Sequence, residues 1–593
     1  MPTPEELLDQ TESDLLGLDF DEAAAGGLNR RQFMFFSLIS AAASTLGVAP
    51  AAAQAASTTP QQAQPLPFPL GNGESPATQF QPYPGGTGAL MERLAKERGR
   101  AAFERASFVV DKWSGAVPTS PDDIARLPAH RLSALIKARK ITSLRLTDIY
   151  LERLTRLNPT LLCAVTIMAS QARAEAMAAD AEIAVGRYRG PLHGLPYGVK
   201  DLFSTRGVPT TWGAADFEHR VIDEDAEIVV RLREAGAVLI AKLSTGLFAQ
   251  NDQWFRGRTN NPWNLVQGSS GSSAGPASAT AAGCVAFSIG TETQGSIVSP
   301  AIRCGLSALR PTFGRVSRHG GMVLAWTHDR VGPICRTVED CAMVFNAIHG
   351  TDEKDPSTVM APFHFDRRIS LASLRVGVDP NAPKELVDKL RELGLQPRDV
   401  GPRPTVQGMG AGLGIEGAAA FDEYVQRKAK EVGLDLTTLP EPSPNRAAGA
   451  PATPPSTPPA NPMAPADWNP RFVNGRTVRA IDYVQMQRRR YVLITKWAEY
   501  MKDLDMFIGN PMSDVGPNAQ TGHPCVVLPY KFDVPRQQGV GPGASANAPP
   551  PLELAAQPIC AVIVGNLFSD DKVLSLAHQF QLHTDVHLRH PAL

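Results

Sequence analysis

From Gln267 to Pro311 the chain reads QGSSGSSAGPASATAAGCVAFSIGTETQGSIVSPAIRCGLSALRP. Two turns rich in serine and glycine, around Ser272 and Ser296, bracket an alanine-rich and then apolar run. A flexible Ser/Gly linker does not carry a centre as apolar as 277–290. The segment therefore reads as structure. Ser273 opens a helix, 277–282 continues it, Gly283 ends it, and 284–289 is a buried strand. Thr291 to Ser296 follows as a glycine-containing turn. Small residues at both turns let backbone approach backbone, or a ligand, closely. A turn with free N–H groups after a strand is also suited to hold an oxyanion.

The flanks alternate helix and strand. Leu146, Ile149, Tyr150, Leu154 and Leu157 recur at steps of three and four, which predicts one face of a helix. Asp225 is expected to cap a helix with Ile228, Leu232 and Ala235 inward. Gly236 stops it, and 237–241 (AVLIA) reads as a strand. Further on, helices are expected at 482–502 and 571–584, and strands at 505–508 and 525–530. This pattern predicts an α/β fold: one large domain with a mixed, mostly buried β-sheet covered by helices on both faces. No internal repeat of solenoid type is present.

Composition sets outer bounds. Of 593 residues, 43 % are hydrophobic and 20 % charged, enough apolar material for a sizeable core. Lys plus Arg is 58 and Asp plus Glu 59, a net charge of −1. Such neutrality argues against a dedicated nucleic-acid binder, which neutralises phosphates. The seven cysteines have no CxxC spacing and an odd count, so neither a zinc site nor a disulfide framework is expected. Cys284 and Cys525 precede apolar runs and read as buried small hydrophobes. Near the N-terminus, Arg30-Arg31 precedes an apolar stretch from Phe33 to Val48 and then Ala51-Ala52-Ala53-Gln54-Ala55. Residues 1–55 therefore read as a twin-arginine export signal, which places the protein outside the cytoplasm, periplasmic or secreted. The apolar run is too short for a spanning helix, so no stable membrane span is expected after signal removal. Residues 56–90 read as a linker. Insertions at 440–467 (PEPSPNRAAGAPATPPSTPPANPMAPAD) and 535–551 are too rich in Pro, Gly and small residues to form a core.

Three segments in order carry a resemblance. Gly190-Pro191-Leu192-His193-Gly194-Leu195-Pro196-Tyr197-Gly198-Val199-Lys200-Asp201 comes first. Ser270-Gly271-Ser272-Ser273-Ala274-Gly275-Pro276 and Gly290-Thr291-Glu292-Thr293-Gln294-Gly295-Ser296-Ile297 follow, and then Leu309-Arg310-Pro311-Thr312. Together they resemble the amidase signature family, strongly over 120–360 and more thinly beyond. The resemblance implies a single amidase-signature domain over 91–593 and a Ser–cis-Ser–Lys triad. Ser296 is the implied nucleophile, Ser272 the bridging serine after a cis peptide, and Lys200 the base. The backbone N–H groups of Thr293, Gln294, Gly295 and Ser296 are the implied oxyanion hole. The implied activity is hydrolysis of a small-molecule carboxamide C–N bond, without cofactor, metal or nucleic acid. A homodimer stays open.

The chemistry is coherent. A serine hydroxyl needs a positioned base to attack an amide. Burial makes a lysine basic by disfavouring its ammonium form. A bridging hydroxyl both donates and accepts, so it can pass the proton on. The departures are also specific. Glu292 stands where the family often has Asp, and Gln294 where it commonly has Gly. Val298 replaces the arginine usual two residues after the nucleophile. Ala274 and Pro276 replace Gly and Ser.

Other readings compete. Gly271-Ser272-Ser273-Ala274-Gly275 fits GxSxG, the nucleophile elbow of an α/β-hydrolase esterase attacking through Ser273. That elbow needs a strand directly before it, and Asn260 to Gln267 (NNPWNLVQ) is expected to be a poor one. The amidase component of a tRNA-dependent amidotransferase shares the implied fold and triad, but the export signal argues against it. A catalytically inactive binding homologue is the third reading. Trp212, Trp254 and Phe255 are candidates to line an apolar pocket or simply to fill core.

Overall fold

The computed structural model describes residues 85–409, 412–433, 475–510, 515–535 and 553–593, together with Leu436 and Phe472. The expected export signal, the linker up to residue 84, the insertion 440–467 and residues 536–551 lie outside them. A helix, Gly86–Arg98, takes in the last residues of the segment read as linker. Among the described residues no helix is long and apolar enough to cross a membrane.

Eleven strands form one mixed sheet. In chain order they are β1 Ala164–Ile167, β2 Pro196–Lys200, β3 Val238–Leu243 and β4 Phe287–Glu292. Then come β5 Ser307–Arg310, β6 Arg330–Cys335, β7 Val376–Val378 and β8 Arg398–Asp399. The last three are β9 Met506–Ile508, β10 Cys525–Asp533 and β11 Gln557–Gly565. Across the sheet the order is β1-β3-β2-β4-β6-β5-β10-β11-β9-β7-β8. β2 runs parallel to both β3 and β4, whereas β4 pairs antiparallel with β6.

Side chains alternate between two cores, as a pleated strand requires. Val526 and Leu528 enter one core, and Cys525 and Val527 the other. Ala561 and Ile563 likewise oppose Cys560, Val562 and Val564. The helices Ser143–Leu161, Val338–Ile348 and Asp570–Gln581 cover the first face. Ala480–Met501, through Leu493, Trp497 and Met501, covers the second. Each such fully buried side chain contributes about 1.5–3 kcal/mol by leaving water. All seven cysteines are buried, in keeping with their apolar neighbours.

The helix face through Leu146, Ile149, Tyr150, Leu154 and Leu157 is the one that packs inward. The late elements fall close to expectation, at Ala480–Met501, Met506–Ile508, Cys525–Asp533 and Asp570–Gln581. Three local readings are corrected. The strand expected at 284–289 is Phe287–Glu292. Cys284 to Ala286 are buried but precede the ladder, and a continuously apolar run carries no period to mark its start. NNPWNLVQ does hold strands, Asn260–Asn261 and Asn264–Gly268, paired only with each other. Their polar side chains are held from afar, with Asn261 and Asn264 both donating to Gln557 Oε1. Asp225 does not cap the helix Glu227–Glu234, whose N-cap is Ala226. Its carboxylate instead accepts from Arg206 N at 2.9 Å and Arg233 Nη1 at 2.8 Å.

Candidate active site

Lys200 is the last residue of β2, and the turn that carries Ser296 follows the neighbouring parallel strand β4. Both groups thus stand at carboxyl ends of adjacent parallel strands, where open α/β sheets bind ligands. Ser272 comes from a third direction, the loop between the hairpin strand Asn264–Gly268 and the helix Ala274–Ala281. The peptide bond Gly271–Ser272 is cis. Gly271 allows no side chain, because a Cβ there would lie 1.8 Å from the Asn251 carbonyl oxygen.

Lys200 is fully buried. Its Nζ lies 2.8 Å from Ser272 Oγ, 2.9 Å from Thr291 Oγ1 and 3.4 Å from the Thr291 carbonyl oxygen. A neutral amine has two N–H bonds for the Thr291 oxygens and one lone pair for the Ser272 hydroxyl. Burial drives the Lys200 pKa well below the ordinary lysine value, against the smaller upward pull of Asp329 and Glu292. The adjacent Asp201 does not neutralise it. Asp201 is also buried, pairs with Lys242 Nζ at 2.9 Å and accepts from Thr211 N.

Ser296 is half-buried, and its carbonyl oxygen accepts the Ser273 N–H at 3.1 Å, which ties the two serine turns together. Glu292 shapes the second turn. Its Oε2 accepts from Ile297 N at 2.8 Å and Val298 N at 2.9 Å, while Oε1 meets Arg310 Nη1 at 2.8 Å. Burial raises the Glu292 pKa, but Arg310 and the two N–H donors outweigh it and hold the acid below its usual range. The N–H groups of Thr293, Gln294, Gly295 and Ser296 donate to no acceptor among the described residues. Gly295 has φ +100, a backbone region that favours glycine. Gln294 is not among the residues in that region, and its exposed side chain lies against Gly516. Val298, in the place of the usual arginine, is buried in the second core and leaves the site's charge to Glu292 and Arg310.

Ser273 is differently employed. It is the helix N-cap residue without a side-chain cap, and its hydroxyl is committed to β4. Oγ donates to the Thr291 carbonyl at 3.0 Å and accepts from Thr291 N at 3.2 Å. Trp212 belongs to an aromatic cluster with Phe217 and Phe421, while Trp254 and Phe255 pack against each other. None of the three lines the cavity beside the site.

Asp329 escaped the sequence reading. Its carboxylate accepts from Thr293 Oγ1 at 2.6 Å, Leu324 N at 2.8 Å and Ala325 N at 3.0 Å. It joins the turn to the loop that precedes β6, and burial raises its pKa. Its place directly before the β6 strand, in DRVGPIC, is the available signal. Asp252, whose carboxylate accepts from Ser270 N at 2.9 Å, gives none. Among the described residues, no group of three or more His, Cys, Asp or Glu side chains is arranged to hold a metal ion.

Comparison with known proteins agrees with this frame. The Amidase family model matches residues 145–433. The A subunit of glutamyl-tRNA(Gln) amidotransferase from Methylococcus capsulatus is 30 % identical over 486 residues, 78 % of this chain and 98 % of that protein. Its counterpart from Thiobacillus denitrificans is 32 % identical, over 78 % and 99 %. Among solved structures, the native peptide amidase from Stenotrophomonas maltophilia aligns with a TM-score of 0.62 at 23 % identity, covering 78 % of this chain and 98 % of that one. An amidase family protein from Bacillus anthracis aligns at 0.64 and 23 %, covering 80 % and 94 %. The structures share the fold and the relatives share the sequence: the chain belongs to the amidase signature family, whose enzymes break or transfer amide C–N bonds.

Proposed function

We propose that the chain hydrolyses a carboxamide through an acyl-enzyme on Ser296. The observation that carries this reading is the buried Lys200 amine, 2.8 Å from Ser272 Oγ and otherwise bonded only to the uncharged oxygens of Thr291. Ser296 Oγ attacks the amide carbon while its proton passes to Ser272, whose own proton moves to Lys200. The carbonyl oxygen becomes an oxyanion facing the N–H groups of residues 293–296, each worth about 2.7–4 kcal/mol in the barrier. The relay then runs backwards. Lys200 returns the proton through Ser272 to the leaving nitrogen, the C–N bond breaks, and ammonia or an amine departs. Water, deprotonated by the same relay, releases the carboxylate and restores Ser296.

Mass spectrometry after incubation with a fluorophosphonate tests the assignment. Ser296→Ala is expected to abolish labelling, and Ser273→Ala to retain it. Labelling at Ser273 that survives Ser296→Ala would reverse the assignment in favour of the esterase reading. The names of the relatives favour a second reading, a glutamine-hydrolysing component of a tRNA-dependent amidotransferase. The near-neutral charge and the Arg30-Arg31 signal weigh against it. The export route has its own test. Replacing Arg30 and Arg31 by lysine is expected to leave the protein in the cytoplasmic fraction. An unchanged distribution in the double variant contradicts it.

A further inference from the structure

Beside the turn 293–296 the fold encloses a cavity of about 300 Å³. Thr291, Thr293 and Asp329 line it on the side of the site, and Thr291 is the residue that holds Lys200 Nζ. The remaining wall is largely apolar, including Leu202, Phe203, Ala249, Met322 and Leu324. Leu202, Ala249, Met322 and Leu324 share a core cluster with Phe248 and Phe421, so packed side chains back this wall. Trp326, 48 % exposed, lines the cavity where it meets solvent. A substrate whose carbonyl oxygen lies at the N–H groups of 293–296 has its acyl substituent beside Thr293 and hence at this cavity.

The charges around the cavity are already matched. Arg318 meets Asp355 through two contacts of 2.9 Å. Arg330 donates to the carbonyls of Asn518, Ala519 and His523. Lys354, at the exposed rim, lies 3.8 Å from Glu227, and His319 lies 3.6 Å from Glu224. Asp329 has its three donors. A glutamine side would bring a carboxylate and an ammonium to this wall, and burying a charge without a dedicated partner is costly. An apolar group meets no such cost and gains by leaving water.

We propose that this cavity receives the apolar acyl substituent of the substrate, an arylalkyl or branched alkyl group. The substrate class is then the uncharged apolar carboxamides rather than glutamine. The proposal rests on the acyl-enzyme reading above, and its test separates the two. Values of kcat/KM are measured for acetamide, isobutyramide, phenylacetamide and L-glutamine, with fluorophosphonate labelling of Ser296 in parallel. In an apolar pocket each added methylene is worth roughly 10–200-fold. Phenylacetamide is therefore expected to exceed acetamide by at least about 100-fold, and glutamine to fall below acetamide. Val323→Trp, which fills the cavity, is expected to cut the phenylacetamide-to-acetamide ratio at least about tenfold while Ser296 still labels. A flat series, a preference for glutamine, or no cleavage of any apolar amide by an enzyme that labels normally overturns the cavity assignment alone. A ratio that Val323→Trp leaves unchanged, in protein that still labels, overturns it too. Absence of labelling in the wild type overturns the acyl-enzyme reading and the cavity assignment with it.

Discussion

Lys200→Met is expected to lower kcat/KM for any amide by at least about 10³-fold and yet not to lower thermal stability near neutral pH. The first effect follows from removing the proton acceptor, a loss of the size seen when a general base is deleted. The second follows from linkage. Burial depresses the Lys200 pKa, so between that value and the unfolded value of 10.5 the unfolded chain binds more protons than the folded one. Stability of the wild type then rises with pH across this window, and the buried amine works against the fold at neutral pH. Methionine has no such slope. Its advantage is expected to shrink as pH rises toward 10.5, as thermal melts over a pH series would show. The wild-type activity is expected to rise with pH through the depressed pKa, because only the free amine accepts a proton. A Lys200→Met variant that keeps wild-type activity, or whose stability relative to wild type grows with pH, contradicts this account.

Arg310→Ala is expected to cost about 3–5 kcal/mol of stability, because it strands the buried Glu292 carboxylate without its cation. Activity is expected to fall as well, since Glu292 holds the N–H groups of Ile297 and Val298 and so closes the turn that bears Ser296. Arg310 also reaches the Val515 carbonyl at 3.2 Å, at the start of the short helix Val515–Thr521. Glu292 has a folded pKa below its usual range, so the stability it lends is present above the unfolded value and lost as pH falls through the folded one. The gap between wild type and Arg310→Ala is therefore largest near neutrality. It narrows in acid, where the stranded carboxyl takes up a proton. Urea denaturation at pH 7 and pH 4 measures both points. Equal losses at the two pH values would show that Arg310 acts by packing rather than by charge.

Much of this is legible from the order of the residues. The serine turns and the Lys200 segment can be read because their residues are dictated locally, by close backbone approach at Gly271 and by positive φ at Gly295. The helix Glu227–Glu234, its stop at Gly236 and strand β3 are legible through period and punctuation. What escapes depends on distant partners. The Asn260–Gly268 hairpin stands on side-chain amides that meet Gln557, almost three hundred residues away in sequence. Asp329 and Asp252 look like ordinary acids until the fold brings backbone N–H groups to them. The start of strand β4 is hidden because Cys284 to Ala286 are as buried as the strand itself.

The placement of Lys200 and of the Ser296 turn at the ends of neighbouring parallel strands separates reactivity from choice. The sheet fixes the reacting groups from below, while the cavity wall comes largely from one surface segment, Arg318 to Val331. Exchanging that segment between relatives should therefore redirect which amide is cut without dismantling the means of cutting it. A lineage built on this frame is free to explore new diets by rewriting a single border.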